Sequence, residues 1–141
     1  MDRPALSHIL EAALYAQDLD AAEDFYGGLL GLERLIRADR RHVFFRLGSG
    51  VLLIFNPDET EKPPNNPRIP VPPHGARGPG HVCLAADGAG LPRWRQHLES
   101  NGVAIEADFA WPNGAHSIYF RDPAGNSVEI AEPALWFSQD D

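Results

Sequence analysis

The feature that most constrains this chain is a repeat inside it. Phe44-Phe45-Arg46 aligns with Tyr119-Phe120-Arg121, Asn56-Pro57 with Glu132-Pro133, and Gly31 with Gly102; Glu11 then falls opposite His81. Each half reads as a strand, a helix and three further strands. One βαβββ half cannot cover both faces of its own sheet, so two must combine. The expected fold class is therefore α+β, built from two βαβββ modules.

Residues 9–16 carry the alternation of a first strand, with Leu10, Ala12 and Leu14 on one face and Glu11, Ala13 and Tyr15 on the other. Asp18 or Asp20 caps a helix, and Leu19, Ala22, Phe25 or Tyr26, Leu29 and Leu30 form its apolar stripe up to Gly31. His42 to Leu47 and Val51 to Phe55 are strands joined at Gly48-Ser49-Gly50. Residues 57–79 hold eight of the 13 prolines, which excludes a central strand or a long helix there. The order then repeats, with a strand at His81–Ala86 and a helix from about Pro92 to Asn101. The expected boundaries are a first module at about 7–57, an exposed Pro-rich linker at 58–79, a second module at about 80–133 and a tail at 134–141.

Bulk properties exclude several classes. A net charge of −8 argues against nucleic acid, which needs a basic face. The apolar fraction is 43%, and no apolar run is long enough to cross a bilayer. The single Cys83 cannot form an intrachain disulfide, and with no signal-peptide pattern at the N-terminus this points to the cytoplasm.

The stretch Ser117–Pro133 holds the most chemistry. Asp122-Pro123-Ala124-Gly125-Asn126 is a turn between two strands. In the second strand Val128 and Ile130 face one way, and Ser127, Glu129 and Ala131 the other. Period-two faces put Val82, Leu84, Leu10, Leu14, Val128, Ile130, Leu52 and Ile54 under the helices. Glu11, His81, Cys83 and Glu129 lie opposite. Taken singly, a strand glutamate is solvated or paired, for instance with Arg46 or Arg121, and a strand histidine is hydrogen-bonded.

The element order, the helix motif DLDAAEDFYGGLLGL and the turn YFRDPAGNSVEI resemble the vicinal-oxygen-chelate superfamily, over about Ile9 to Pro133. That group includes glyoxalase I, extradiol dioxygenases, methylmalonyl-CoA epimerase, fosfomycin-resistance thiol transferases and bleomycin-resistance proteins. The resemblance implies a cupped, barrel-like mixed sheet with helices on the convex face. It implies metal ligands at Glu11, His81 and Glu129, with Leu53 at a fourth position that cannot ligate. One divalent ion is expected: Zn, Ni, Mn, Fe or Co. It also implies a homodimer with Glu11 of one subunit meeting His81 and Glu129 of the other.

The expected function is a metal-dependent enzyme, a lyase, isomerase, transferase or dioxygenase, acting on a small molecule through vicinal oxygens. The alternative is a drug-sequestering protein of the bleomycin-resistance kind, which needs no metal. Phe44, Phe55 and Tyr119 share the inner face and make an aromatic wall. Arg46 and Arg121 share it as well, as carboxylate anchors or as structural ion pairs. His74 and His116 are expected at the pocket rim and Trp111 over its mouth, while His8, His42 and His97 read as surface residues. Glu11 and Tyr119 are candidate bases. Trp136 and Phe137 are candidates to cap an apolar edge or a partner subunit. With Leu53 in place of a carboxylate, negligible turnover of the glutathione–methylglyoxal adduct is expected.

Overall fold

A computed structural model describes residues 2–137. The chain divides at Gly75 and Ala76 into two compact units. Unit 1 runs β1 (Glu11–Tyr15), α1 (Leu19–Glu23), β2 (Glu33–Ala38), β3 (His42–Leu47), β4 (Gly50–Phe55) and α2 (Pro57–Thr60). Its sheet has the order β1-β4-β3-β2, with β1 parallel to β4 and the other pairs antiparallel. Unit 2 runs β5 (His81–Ala85), α3 (Gly90–Ser100), β6 (Ala107–Ala110), β7 (His116–Arg121) and β8 (Ser127–Ala131), followed by a short 3₁₀ turn. Its order is β5-β8-β7-β6, again with one parallel pair. The two units are thus the two expected βαβββ modules.

The registers make the repeat concrete. Glu11 opens β1 as His81 opens β5. Leu53 pairs with Ala13 and Phe44, as Glu129 pairs with Cys83 and Tyr119. Leu53 therefore stands in unit 1 where Glu129 stands in unit 2.

Strand alternation sets the faces. In unit 1, Val43, Phe45, Leu52 and Ile54 are buried, on strands that α1 packs against. In unit 2, Ile118, Phe120, Val128 and Ile130 are buried together with Leu91 and Leu98 of α3. Truncating one of the fully buried rings, Phe45 or Phe120, to Ala costs about 3–5 kcal/mol. Leu10 departs from the expectation. It is 65% exposed, because β1 begins one residue later and no element covers it.

The first helix differs from a plain α-helix. Asp18 caps it by accepting from the Ala21 amide at 3.0 Å, which is worth about 1 kcal/mol. From Asp24 to Leu29 the helix widens by one residue per turn, with the Leu30 amide bonded to the Phe25 carbonyl five residues back at 2.9 Å. Both Phe25 and Tyr26 are buried in the core at the start of this widened stretch. Gly31 at φ +74° then ends the helix.

The Asp122–Asn126 turn is closed by its own side chains. Asp122 Oδ1 accepts from the Ala124 and Asn126 amides, both at 2.9 Å. Asn126 Oδ1 accepts from the Gly80 amide at 2.7 Å, tying the turn to the start of β5. Gly125 at φ +89° takes the position a side chain would strain. In the Pro-rich segment Asn56 caps α2. Among the described residues no strand or further helix follows before β5. The expected tail is described only as far as Phe137; its last four residues lie outside the described residues.

Candidate functional site

Unit 2 brings His81 and Glu129 together. His81 Nε2 lies 3.2 Å from Glu129 Oε1. His81 Nδ1 lies 3.0 Å from the Ser127 carbonyl, which can only accept, so Nδ1 carries the proton. In the neutral ring Nε2 is then a lone pair facing a carboxylate oxygen. Two acceptors at that distance need a cation between them, either a proton or a metal ion. A histidine whose second nitrogen donates to a backbone carbonyl is held as a metal-ligating histidine is held.

Glu129 is 4% exposed, and its other oxygen is held from behind. The Ser117 hydroxyl donates to Oε2 at 2.6 Å and accepts from the Trp111 indole N–H at 2.8 Å. Trp111, expected over the mouth, is held to Ser117 by this bond. Tyr119 lies across from Glu129 in the register, and its ring stacks on His81 with centroids 6.1 Å apart. Desolvation, then the neighbouring Glu129 charge, pushes the Cys83 thiol up to about 12 although part of the residue reaches solvent. Desolvation also leads in raising Tyr119 to about 12, followed by Glu129 and Cys83. Both groups stay protonated at neutral pH, so Cys83 is no thiolate nucleophile.

The remaining unit 2 candidates are engaged elsewhere. Arg121 pairs with Glu106 through two hydrogen bonds at 2.7 and 3.0 Å, the structural ion pair that was its alternative. His116 Nε2 pairs with Asp108, which also receives Arg95. These bonds hold the Glu106 and Asp108 carboxyls below the ordinary range.

Unit 1 contains a cleft of about 620 Å³. Glu11, Phe44, Leu53, Phe55 and His74 all line it. Inner-face rows follow from the register: Glu11 lies beside Val51, Ala13 beside Leu53 and Phe44, and Tyr15 beside Phe55 and His42. Arg46 shares the face but is exposed and pairs with Glu33 at 3.3 Å. His74 is pinned by its amide to the Thr60 carbonyl at 2.9 Å and by its Nδ1 to the Tyr15 hydroxyl at 2.7 Å. The Pro-rich segment thus supplies a wall of the cleft.

His42 is the residue the sequence reading misplaced. It is half-buried in the same cleft, stacked on Phe44 with centroids 4.1 Å apart. The Arg41 guanidinium donates to its Nδ1 at 2.8 Å. Burial first, and Arg41 second, lower its pKa, so His42 is a neutral ring whose Nε2 carries the proton. Strand parity marks His42 as inner-face, two residues before Phe44, and that signal was present in the sequence. His8 and His97 are exposed, as expected.

Among the described residues no three His, Cys, Asp or Glu side chains form a group that could hold a metal ion. The donor pair His81–Glu129 fits one by its chemistry, an imidazole nitrogen and a carboxylate oxygen 3.2 Å apart.

Two βαβββ units in one chain, each with one parallel strand pair at the same place in its sheet, define a class of two-module proteins. The chain belongs to the glyoxalase/bleomycin resistance protein/dioxygenase superfamily, whose family model matches residues 5–130. It is similar to the crystal structure of a lactoylglutathione lyase from Agrobacterium tumefaciens, at 45% identity and a TM-score of 0.90, covering 96% of this chain and 100% of that one. A glyoxalase/dioxygenase from Nostoc punctiforme shares the fold at 24% identity and a TM-score of 0.64, covering 93% and 97%. No helix among the described residues is long and apolar enough to cross a membrane.

Proposed function

We propose that the protein is a metal-dependent enzyme of the glyoxalase type that acts on a small molecule through two of its oxygens. His81 and Glu129 would hold a divalent ion. Glu11 is the third ligand of the set, supplied by the second copy in a homodimer. That assignment rests on its place in the repeat, opening β1 as His81 opens β5.

The observation that carries the reading is the His81–Glu129 pair. With Nδ1–H given to the Ser127 carbonyl, Nε2 lies 3.2 Å from Glu129 Oε1, a spacing that a shared metal ion would bridge. Imidazole and carboxylate together suit Zn, Mn, Fe, Co or Ni. Such an ion, when bound, acts as a Lewis acid on a substrate oxygen. The chain's own part is to hold the donors. Ser117 and Trp111 fix the far oxygen of Glu129, and Tyr119 restrains the His81 ring.

The 45% identity to a lactoylglutathione lyase supports an enzyme, and a lyase in particular. Leu53 qualifies the substrate. It is 6% exposed and aliphatic, so it cannot move a proton from the position Glu129 occupies in the other unit.

The test is metal analysis of protein purified without chelator or a nickel column, followed by competitive titration of the ion. His81→Ala and Glu129→Gln should each weaken binding at least a hundredfold. Glu11→Ala should do the same, and light scattering should report a dimer. Unchanged affinity in His81→Ala would end the metal reading. A tightly held organic molecule with no metal would indicate a sequestering protein.

A further inference from the structure

The unit 1 cleft has a chemistry of its own at the end away from Glu11. Arg41 is half-buried there, its Cζ 5.8 Å from the Phe55 ring centroid. Its backbone is fixed by the Asn56 amide, which donates to the Arg41 carbonyl at 2.8 Å. One guanidinium N–H goes to His42, and among the described residues no carboxylate pairs with it. A guanidinium has five donors in a planar fork, so most of them remain unspent on the cleft wall. The other cation of the cleft, Lys62, is taken by Glu59 at 3.0 Å.

Beside this cation lies an aromatic wall. The His42–Phe44 stack meets Phe55 edge-on, with centroids at 5.8 and 5.4 Å. His74 meets Phe55 edge-on from the Pro-rich side, at 4.6 Å. We propose that this end of the cleft takes a planar aryl carboxylate, its ring extending the His42–Phe44 stack and its carboxylate on the Arg41 fork. A single unpaired cation matches a monoanion, and Glu11 and Glu59 on the same cleft oppose a dianion such as phosphate. The row of Glu11 lies four strand residues from the row of His42, roughly 13 Å away. The substrate class is therefore an aromatic acid carrying its oxygen-bearing group at the far end. That last step alone rests on the reading that Glu11 binds the ion.

The experiment uses metal-free protein, so that it stands apart from the metal titration. Binding of benzoate, benzyl alcohol and inorganic phosphate is followed by calorimetry and by the ring resonances of His42 and His74. Benzoate should bind in the millimolar range, as suits so small a molecule, and shift both rings. Arg41→Gln should weaken benzoate at least tenfold and leave benzyl alcohol unchanged. Phe44→Leu, which keeps the position apolar and removes the stack, should weaken both. Benzoate affinity unchanged in Arg41→Gln, or phosphate bound more tightly than benzoate, overturns the proposal. Loss of the proposal with metal binding intact leaves the metal centre standing.

Discussion

Replacing Ser117 by Ala tests the support behind Glu129. Ser117 is fully buried, donates to Glu129 at 2.6 Å and accepts from Trp111 at 2.8 Å. Alanine removes both bonds and fills nearly the same space, so packing contributes little to the result. Losing a hydrogen bond to a charged group costs about 1.5–3 kcal/mol, and an orphaned buried donor about 1–3 kcal/mol. Trp111 is only half-buried and recovers part of its share from water, so the sum is about 2–4 kcal/mol. With a urea slope of about 1.5 kcal/mol/M, the unfolding midpoint should fall by about 1.3–2.7 M. Trp111→Phe in the same background removes the orphaned indole N–H. The double variant should therefore lose less than the two single losses added together, by about 1 kcal/mol. The assay is urea unfolding followed by far-UV circular dichroism. A midpoint within about 0.3 M of wild type would refute the reasoning, since about 0.5 kcal/mol is the size of an ordinary surface change.

Three further outcomes follow from particular contacts. Asp122→Ala removes three acceptor contacts within the turn and should lower stability by about 2–4 kcal/mol in the same unfolding assay. The lowered pKa of His42 means that the unfolded chain takes up this proton first. Its contribution to stability is present above the unfolded value of about 6.5 and is lost as pH falls from there toward the folded midpoint. An NMR titration should show that midpoint below 6.5, and Arg41→Gln should move it upward. Wild-type protein should convert the glutathione–methylglyoxal adduct no faster than the buffer rate, whichever divalent ion is supplied. Efficient turnover would show that a residue other than one at position 53 supplies the base.

Much of the architecture was legible because it depends on local chemistry. Period-two alternation sorted the strands into a buried face with Leu52, Ile54, Val128 and Ile130 and an inner face with Glu11, His81 and Glu129, since successive strand side chains must point to opposite sides. The Asp-Pro-Ala-Gly-Asn turn announced itself, because its side chains satisfy its own backbone. The family resemblance placed Leu53 at the fourth ligand position, and the registers then set it opposite Glu129 in the repeat.

What tertiary structure decided was contact between residues far apart in the chain. Helical periodicity offers Phe25 or Tyr26 as the buried ring; the structure buries both, a consequence of packing rather than propensity. Strand parity put His42 on the inner face with Phe44, but only the folded chain shows Phe55 and the Pro-rich segment forming a cleft around it. The Pro-rich segment read as an exposed linker, since proline excludes regular structure but does not say where the chain runs. His74 returns it to unit 1 through Thr60 and Tyr15. The Trp111–Ser117–Glu129 chain likewise joins a loop to two strands, and it forms because the buried Ser117 hydroxyl and Glu129 carboxylate must find partners within the protein.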